Sequence, residues 1–128
     1  LMPMMQFSVA PWRILDERHF NAVLDAVNLR NKFKETILRL AKKASTNGEP
    51  MVRSMEYVYP HKGYVDITDQ FMLGNSILVA PYLSKGEGSR KVILPKGSWK
   101  SDTGKVFKGG KSITVNVPLT RLPYFIKE

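Results

Sequence analysis

The amino-acid sequence predicts an α+β fold, in which a long helix and one strand precede an antiparallel β-sandwich. Apolar residues up to Ala44 recur at the three- and four-residue spacing of a helical face. Asn47 and Gly48 then form a strong helix stop. In later segments, such as residues 112–117, apolar and polar residues alternate as in a half-buried strand. The change of period at Gly48 therefore separates a helical part from a strand-rich part.

The composition is that of an ordinary globular protein of one-domain size. The chain has 128 residues, of which 43% are hydrophobic and 24% charged. It has no cysteine, and its two histidines, His19 and His61, are isolated, so we expect neither a disulfide framework nor a metal site. We expect no cofactor, because no phosphate-binding loop with the required spacing is followed by a helix.

The net charge of +9 raises the question of a nucleic-acid partner. Most of the excess lies in residues 91–128, which carry 8 Lys and Arg against 2 Asp and Glu. These lysines are spaced along predicted strand ends and turns, where charge protects sheet edges from aggregation. No nucleic-acid-binding motif accompanies them, and the longest apolar runs fall short of the ~20 residues of a membrane helix. We therefore expect no nucleic-acid and no membrane partner.

The helix is predicted from Asp16 to Asn47. Asp16 is a good N-cap, and Glu17 places negative charge in the first turn. A first set of apolar residues and a second set, rotated from it, continue the helical period. The two sets are Phe20, Val23, Leu24 and Val27, and then Leu29, Phe33, Ile37, Leu40, Ala41 and Ala44. The rotation predicts a bend or break between Asn28 and Phe33.

The segment Pro50–Pro60 is predicted to be a largely buried strand, because large apolar and strand-favouring residues lie between its two prolines. Its only charges are Arg53 and Glu56. Buried charges are costly unless they are paired. We therefore expect a mutual salt bridge between the two, or a polar cleft beside them.

The rest of the chain reads as short strands separated by glycine and proline turns. The turns predict a sandwich or a partial barrel. Trp99 lies between the turns Pro95–Gly97 and Asp102–Gly104, so it is expected to fill the core rather than form an exposed sugar-binding platform. The predicted strands are Ile77–Leu83, Lys91–Leu94, Trp99–Ser101, Lys105–Phe107, Ser112–Val117 and Tyr124–Lys127.

Spacing alone assembles no catalytic site. The carboxylates are scattered over the helix, the central strand and the loops, and nothing in the sequence pairs two of them across a scissile bond as a glycosidase requires. No Ser-His-Asp set is present either. The residues by themselves predict an α+β piece of unknown activity.

Four ordered segments nevertheless carry a family resemblance. They are MMQFSVAPWR (residues 4–13), GEPMVRSMEYVYP (48–60), DQFMLGNSILVAP (69–81) and LPKGSWKSDTGKVFKGG (94–110). Their order and spacing resemble the C-terminal part of glycoside hydrolase family 31, which includes α-glucosidases and α-xylosidases. The resemblance implies a retaining hydrolase that acts on an α-linked carbohydrate substrate. It also implies that residues 1–65 are the last helix and strand of a (β/α)8 barrel and that residues 66–128 form the proximal C-terminal β-sandwich.

The same resemblance implies that no catalytic residue lies in this chain, because the nucleophile and acid/base aspartates of the family occur on earlier barrel strands. The family pattern Pro-x-Met-Arg-x-His, whose histidine contacts the sugar, corresponds here to residues 3–8. Gln6 stands at the arginine position and Ser8 at the histidine position, so these two are the candidate substrate-binding residues. A serine hydroxyl can hydrogen-bond a sugar but cannot become cationic. The alternative function is a non-catalytic β-sandwich that binds carbohydrate or serves a structural role.

The apolar N-terminal segment, residues 1–15, has nothing nearby in sequence to bury it. We expect it to be the interior of a larger protein, since a helix of ~30 residues is also ~45 Å long, more than a domain of this size needs. Isolated, this surface is expected to exceed the apolar area that a monomer tolerates. We therefore expect the chain to self-associate.

Overall fold

The computed structural model describes residues 1–128 and contains three α-helices and eight strands. A single 3-10 turn, Pro11–Arg13, precedes the first helix. The helices are α1 (Glu17–Lys32), α2 (Lys34–Asn47) and α3 (Met55–Val58). The strands are β1 (Val52–Arg53), β2 (Phe71–Leu73), β3 (Ile77–Val79), β4 (Gly88–Leu94), β5 (Ser98–Ser101), β6 (Val106–Lys108), β7 (Lys111–Val117) and β8 (Tyr124–Lys127). None of the helices has the length and apolar character needed to cross a membrane.

The predicted helix is present and breaks at Phe33, which ends α1 and begins α2. Asp16 caps α1, because its side chain accepts a hydrogen bond from the His19 N–H at 2.9 Å. Phe33 is buried and packs edge-to-face on Tyr124, with ring centroids 5.1 Å apart. The chain leaves α2 through Gly48, whose φ of 72° places it in the left-handed region that favours glycine. The expected break and the helix stop are therefore confirmed.

The predicted strand Pro50–Pro60 is wrong for most of its length. Only Val52 and Arg53 are extended, as β1, and they pair antiparallel with Leu73 and Met72 of β2. Ser54 then caps the single turn of α3 by accepting the Tyr57 N–H at 3.1 Å. A local side-chain cap of this kind competes with strand pairing, and here it overrides the strand propensity of the aromatic residues.

The expected salt bridge between Arg53 and Glu56 is also wrong. Arg53, only 6% exposed, instead places Nη2 2.7 Å from Oε2 of Glu49. Its Nε donates to the Pro50 carbonyl at 2.7 Å. Glu56 accepts the N–H of His61 at 2.6 Å and the N–H of Tyr64 at 3.3 Å. Arg53 also donates from Nη1 to Oδ1 of Asn75. Each charge therefore has its own set of partners, because the turn into α3 carries Glu56 away from the strand.

All eight strands pair antiparallel, in two sheets. The larger sheet has six strands in the order β1-β2-β3-β8-β5-β6, and the smaller is the hairpin-like ribbon of β4 and β7. The ribbon is paired over seven positions, from Gly88 opposite Val117 to Leu94 opposite Lys111. The antiparallel sandwich predicted for the C-terminal half is confirmed in this form, whereas no parallel barrel strands are seen in the chain.

The six-stranded sheet is the middle of three layers. One face packs on the β4–β7 ribbon around the fully buried Trp99 and Phe125, with Val92 and Leu94 contributed by the ribbon. Alternate residues of the same strands point to the other face, where Ile77 and its neighbours meet one side of α2. That second cluster is Phe33, Ile37, Leu40, Leu73, Ile77 and Val79. α2 is thus docked on the sheet, while α1 has no buried residue.

Candidate functional site

The candidate sugar-contacting residues, Gln6 and Ser8, lie in the irregular segment before the 3-10 turn, with Ser8 in a bend. Both are exposed, and both line a cavity of about 240 Å³ whose apolar wall includes Ile14 and Val23. The segment is held to α1 by Arg30, which donates from Nη2 to the Pro3 carbonyl at 2.5 Å. The structure therefore brings the two residues to one concave, solvent-accessible surface.

A larger cavity, of about 780 Å³, lies between α1 and the segment that leads into β8. Lys32 and Asp25 of α1 line one side, and Asp102, Arg121 and Tyr124 line the other. The proximity of these residues was not predicted from the sequence, since they come from three segments that are far apart in the chain. No local spacing signals their proximity, which arises only when α1 lies over the β5–β8 end of the sheet.

The polar centre of this larger cavity is a two-pronged ion pair. Arg121 places Nε 2.7 Å from Oδ2 of Asp102 and donates from Nη2 to Oδ1 at 2.9 Å. A third donor, Nη1, reaches the Asn116 carbonyl at 2.5 Å. The hydrogen bonding that Arg121 donates to the Asp102 carboxylate raises the pKa of Arg121 above its usual range, although partial desolvation opposes the shift. The arginine is therefore held as a permanent, oriented cation.

The same carboxylate acts on Tyr124, whose pKa is raised first by burial and then by the charge of Asp102. The Asp102 N–H also donates to the Tyr124 carbonyl at 2.9 Å. Both oxygens of Asp102 accept hydrogen bonds from one guanidinium, so this carboxylate is a structural acceptor rather than a free nucleophile or base. Asp25 is exposed at the edge of the cavity.

The two carboxylates of this cavity do not form a glycosidase pair. Two free carboxyls that face each other across the scissile bond are required for that chemistry, and Asp102 is committed to Arg121. The structure also contains no group of three His, Asp or Glu residues able to hold a metal ion. The arrangement is suited to hydrogen-bonding a polar ligand, not to proton transfer or Lewis-acid catalysis by these groups.

Comparison with known proteins gives the family. Residues 48–128 match the family model described as the glycosyl hydrolase family 31 C-terminal domain, which covers the whole of the two-sheet part. The chain belongs to glycosyl hydrolase family 31. The family 31 resemblance carried by the four sequence segments is confirmed.

Curated family 31 relatives extend the match to the N-terminal helices. The chain is 33% identical over 127 residues to "Myogenesis-regulating glycosidase" of Mus musculus, which covers 97% of this chain and 18% of the relative. It is 34% identical over 115 residues to "Alpha-glucosidase" of Saccharolobus solfataricus, covering 89% of this chain and 16% of the relative. The chain thus spans less than a fifth of these relatives.

Solved family 31 structures share the fold. A GH31 α-xylosidase from a soil metagenome, complexed with xylose, superposes with a TM-score of 0.82 at 34% identity, over 88% of this chain and 17% of that one. A GH31 dextranase of Flavobacterium johnsoniae, complexed with glucose, gives 0.85 at 31% identity, over 94% of this chain and 15% of that one. The arrangement of helices and sheets described above is therefore the family 31 arrangement.

Proposed function

We propose that this chain is the C-terminal part of a retaining glycoside hydrolase that acts on α-linked glycosides of the α-glucosidase or α-xylosidase type. The observation that carries the proposal is the family match over residues 48–128, in a fold shared with an α-xylosidase and a dextranase. In the proposed double displacement, one carboxylate forms a glycosyl-enzyme bond and another protonates the leaving oxygen. Both carboxylates precede this chain in the proposed protein.

The proposed domain division assigns residues 1–65 to the end of a (β/α)8 barrel and residues 66–128 to the proximal β-sandwich. The helical character of α1 and α2 supports it, as does the absence of any buried residue in α1, which leaves a surface for further barrel elements. β1 pairs with β2 across the proposed boundary. The two domains would therefore share a continuous sheet edge instead of a flexible linker.

The proposed role of Gln6 and Ser8 is to contact the sugar from the last barrel elements. Their exposure on a concave surface and the anchoring of their segment by Arg30 support this role. A Ser8 hydroxyl both donates and accepts, so it can orient one sugar hydroxyl. Unlike a histidine, it cannot carry a positive charge, so contact to the sugar would not depend on pH near neutrality.

The test compares the purified 128-residue chain with a longer protein that includes the preceding family 31 segments, on aryl α-glucoside and aryl α-xyloside. Turnover is expected only from the longer protein, because the chain itself offers no free carboxylate pair. Turnover by the chain alone that is abolished by Asp25→Asn or Asp102→Asn would contradict the proposal.

The alternative, a non-catalytic carbohydrate-binding module, loses its main candidate. Trp99 is fully buried and its indole N–H donates to the Pro95 carbonyl at 2.7 Å, so it cannot present a flat face to a sugar. Tyr82 and Tyr124, two further aromatic residues that a sugar-binding platform could use, are half-buried. Retention of the chain on an immobilised α-glucan column would nevertheless favour a carbohydrate-binding module, and passage through the column would contradict it.

A further inference from the structure

A third cavity, of about 510 Å³, lies where the loop after α3 meets the end of β4 and the start of β7. Its walls are apolar and aromatic, since Tyr59, Tyr64 and Pro95 all line it. The two tyrosine rings meet edge-to-face, with centroids 6.1 Å apart. The Tyr59 hydroxyl is buried and has no hydrogen-bond partner. A volume of this size with partly aromatic walls is typical of a small-molecule site.

Three lysines line the same cavity from three segments: Lys62, Lys96 and Lys111. The pairing of β4 with β7 brings Lys96 and Lys111 to the same end of the ribbon. Leu94 and Lys111 are opposite each other in the ribbon, and the Gly110 N–H donates to the Leu94 carbonyl at 2.8 Å. A Cβ placed on Gly110 would lie 3.4 Å from Cγ of Lys96, so the Lys96 stem passes directly beside this turn. Lys127, which lines a neighbouring cavity, places Nζ 5.4 Å from the centre of the Tyr59 ring.

No carboxylate neutralises this group. The structure has five ion pairs with N···O distances of up to 4.0 Å, and none of them contains a lysine. Glu56, in the adjoining helix α3, accepts the N–H groups of His61 and Tyr64 and does not line the cavity. Like charges around a cavity with low-dielectric walls concentrate a positive potential inside it. Edge lysines that only prevent aggregation would instead be spread along strands.

We propose that this cavity binds a small organic anion that carries a phosphate, sulfate or carboxylate group on a ring-shaped body, such as a sugar phosphate or a sugar acid. The lysine ammonium groups would hold the anionic group, for which lysine acts as a compact point charge. The tyrosine and proline walls would contact the body of the ligand. The site is separate from Gln6 and Ser8, so it does not depend on the glycosidase proposal.

The test is a titration of the isotope-labelled chain, followed by NMR, with glucose 6-phosphate, glucose and inorganic phosphate in turn. We expect glucose 6-phosphate to shift amide signals in residues 59–64, 93–96 and 110–112, and glucose to leave them unchanged. If inorganic phosphate binds as tightly as glucose 6-phosphate, the aromatic walls contribute nothing and the organic anion is the wrong ligand. If glucose 6-phosphate shifts none of these signals, the proposal fails altogether.

A pair of matched variants separates a site from general attraction to a basic protein. Lys96→Gln combined with Lys111→Gln removes two cavity cations and is expected to weaken glucose 6-phosphate binding by roughly tenfold or more, since hydrogen bonds to charged groups contribute most. Lys100→Gln combined with Lys105→Gln removes two exposed cations outside the cavity and should leave the affinity unchanged. Equal weakening in both variants would overturn the proposal.

Discussion

At the scale of single residues, Trp99 is the largest side chain that the fold buries completely. It fills the space between the two sheets, and Pro95 accepts its indole N–H at 2.7 Å. We expect Trp99→Ala to lower the free energy of unfolding by about 3–5 kcal/mol, because a large cavity is left and a buried carbonyl loses its donor. Urea denaturation followed by circular dichroism measures the change.

Trp12 is the matched control, since it is 69% exposed. Trp12→Ala is expected to change the free energy of unfolding by less than about 0.5 kcal/mol. If Trp99→Ala were as mild as Trp12→Ala but abolished binding to an α-glucan, Trp99 would be a binding platform and its assignment to the core would be wrong.

The Asp102–Arg121 pair is expected to contribute measurably to stability, because its side chains are only 12% and 21% exposed and meet through two hydrogen bonds. A double-mutant cycle with Asp102→Asn and Arg121→Gln should give a coupling free energy of about 1–3 kcal/mol. The Arg18–Glu87 pair is the control, with side chains 67% and 47% exposed. Its cycle should give about 1 kcal/mol or less. Equal coupling in the two cycles would contradict the role of burial.

Ser8 is expected to affect substrate use without affecting folding. In an active longer protein, Ser8→Ala should lower kcat/KM for an α-glycoside by roughly two- to tenfold, the value of one lost neutral hydrogen bond. Ser84→Ala, in an exposed loop away from the N-terminal cavity, should change nothing. The sugar contact would be refuted by an unchanged kcat/KM for Ser8→Ala with stability also unchanged.

At the scale of elements, we expect the first turn of α1 to lose stability at acidic pH. The His19 N–H is the main cause that lowers the pKa of Asp16 below its ordinary value of 3.8, and the His19 side chain adds to it. A carboxyl with a lowered folded-state pKa stabilises the fold above its unfolded pKa, and this contribution is lost as pH falls through the folded value. We expect the capping interaction to disappear only below about pH 3.8.

The measurement is a carboxyl NMR titration of Asp16 combined with hydrogen exchange of the His19 amide. Asp16→Asn is the control, because asparagine caps helices well but does not titrate in this range. Protection of the His19 amide should then become independent of pH. A pKa of Asp16 at or above the ordinary value would show that the cap is absent in solution.

The helices were predictable because their signals are local. The two rotated apolar faces predicted a break in the helix. The structure places this break at Phe33, whose ring packs on Tyr124. The segment 50–60 was mispredicted because its composition favours a strand, while one hydroxyl, Ser54 Oγ, captures the Tyr57 N–H and starts a turn. A Ser followed by an acidic residue in the first turn was the available signal, and the aromatic residues around it obscured the cap.

The sites were less predictable, because they join residues that no short-range pattern relates. Asp25 and Asp102 line one cavity only because α1 lies near the end of the sheet, and Lys96 and Lys111 line another only because β4 pairs with β7. The lysines were visible in the sequence as a C-terminal excess of charge. They line one cavity because of the register in which β4 pairs with β7, and this register could not be predicted from the sequence.

At the scale of the whole molecule, apolar side chains on the N-terminal surface remain uncovered. Met4 is 91% exposed, Trp12 69% and Ile14 68%. We expect this surface to drive self-association of the isolated chain, since contiguous exposed apolar patches mark contact sites. Light scattering from low to high micromolar concentration should show the mean mass rising, and Trp12→Ser combined with Ile14→Ser should reduce the rise. A constant monomer mass across the range would refute this expectation.

The position of β8 in the middle of the larger sheet has a consequence for biosynthesis. β8 is the last of the eight strands along the chain, yet it lies between β3 and β5 and joins the two halves of the sheet. During translation the β4–β7 ribbon and α2 can form before β8, but both halves of the sheet keep an open edge until residues 124–127 have emerged. Open edges of this kind are exposed to chaperones and to aggregation. A stop codon just before Tyr124 would therefore remove the strand that joins β3 to β5 and leave the larger sheet unclosed.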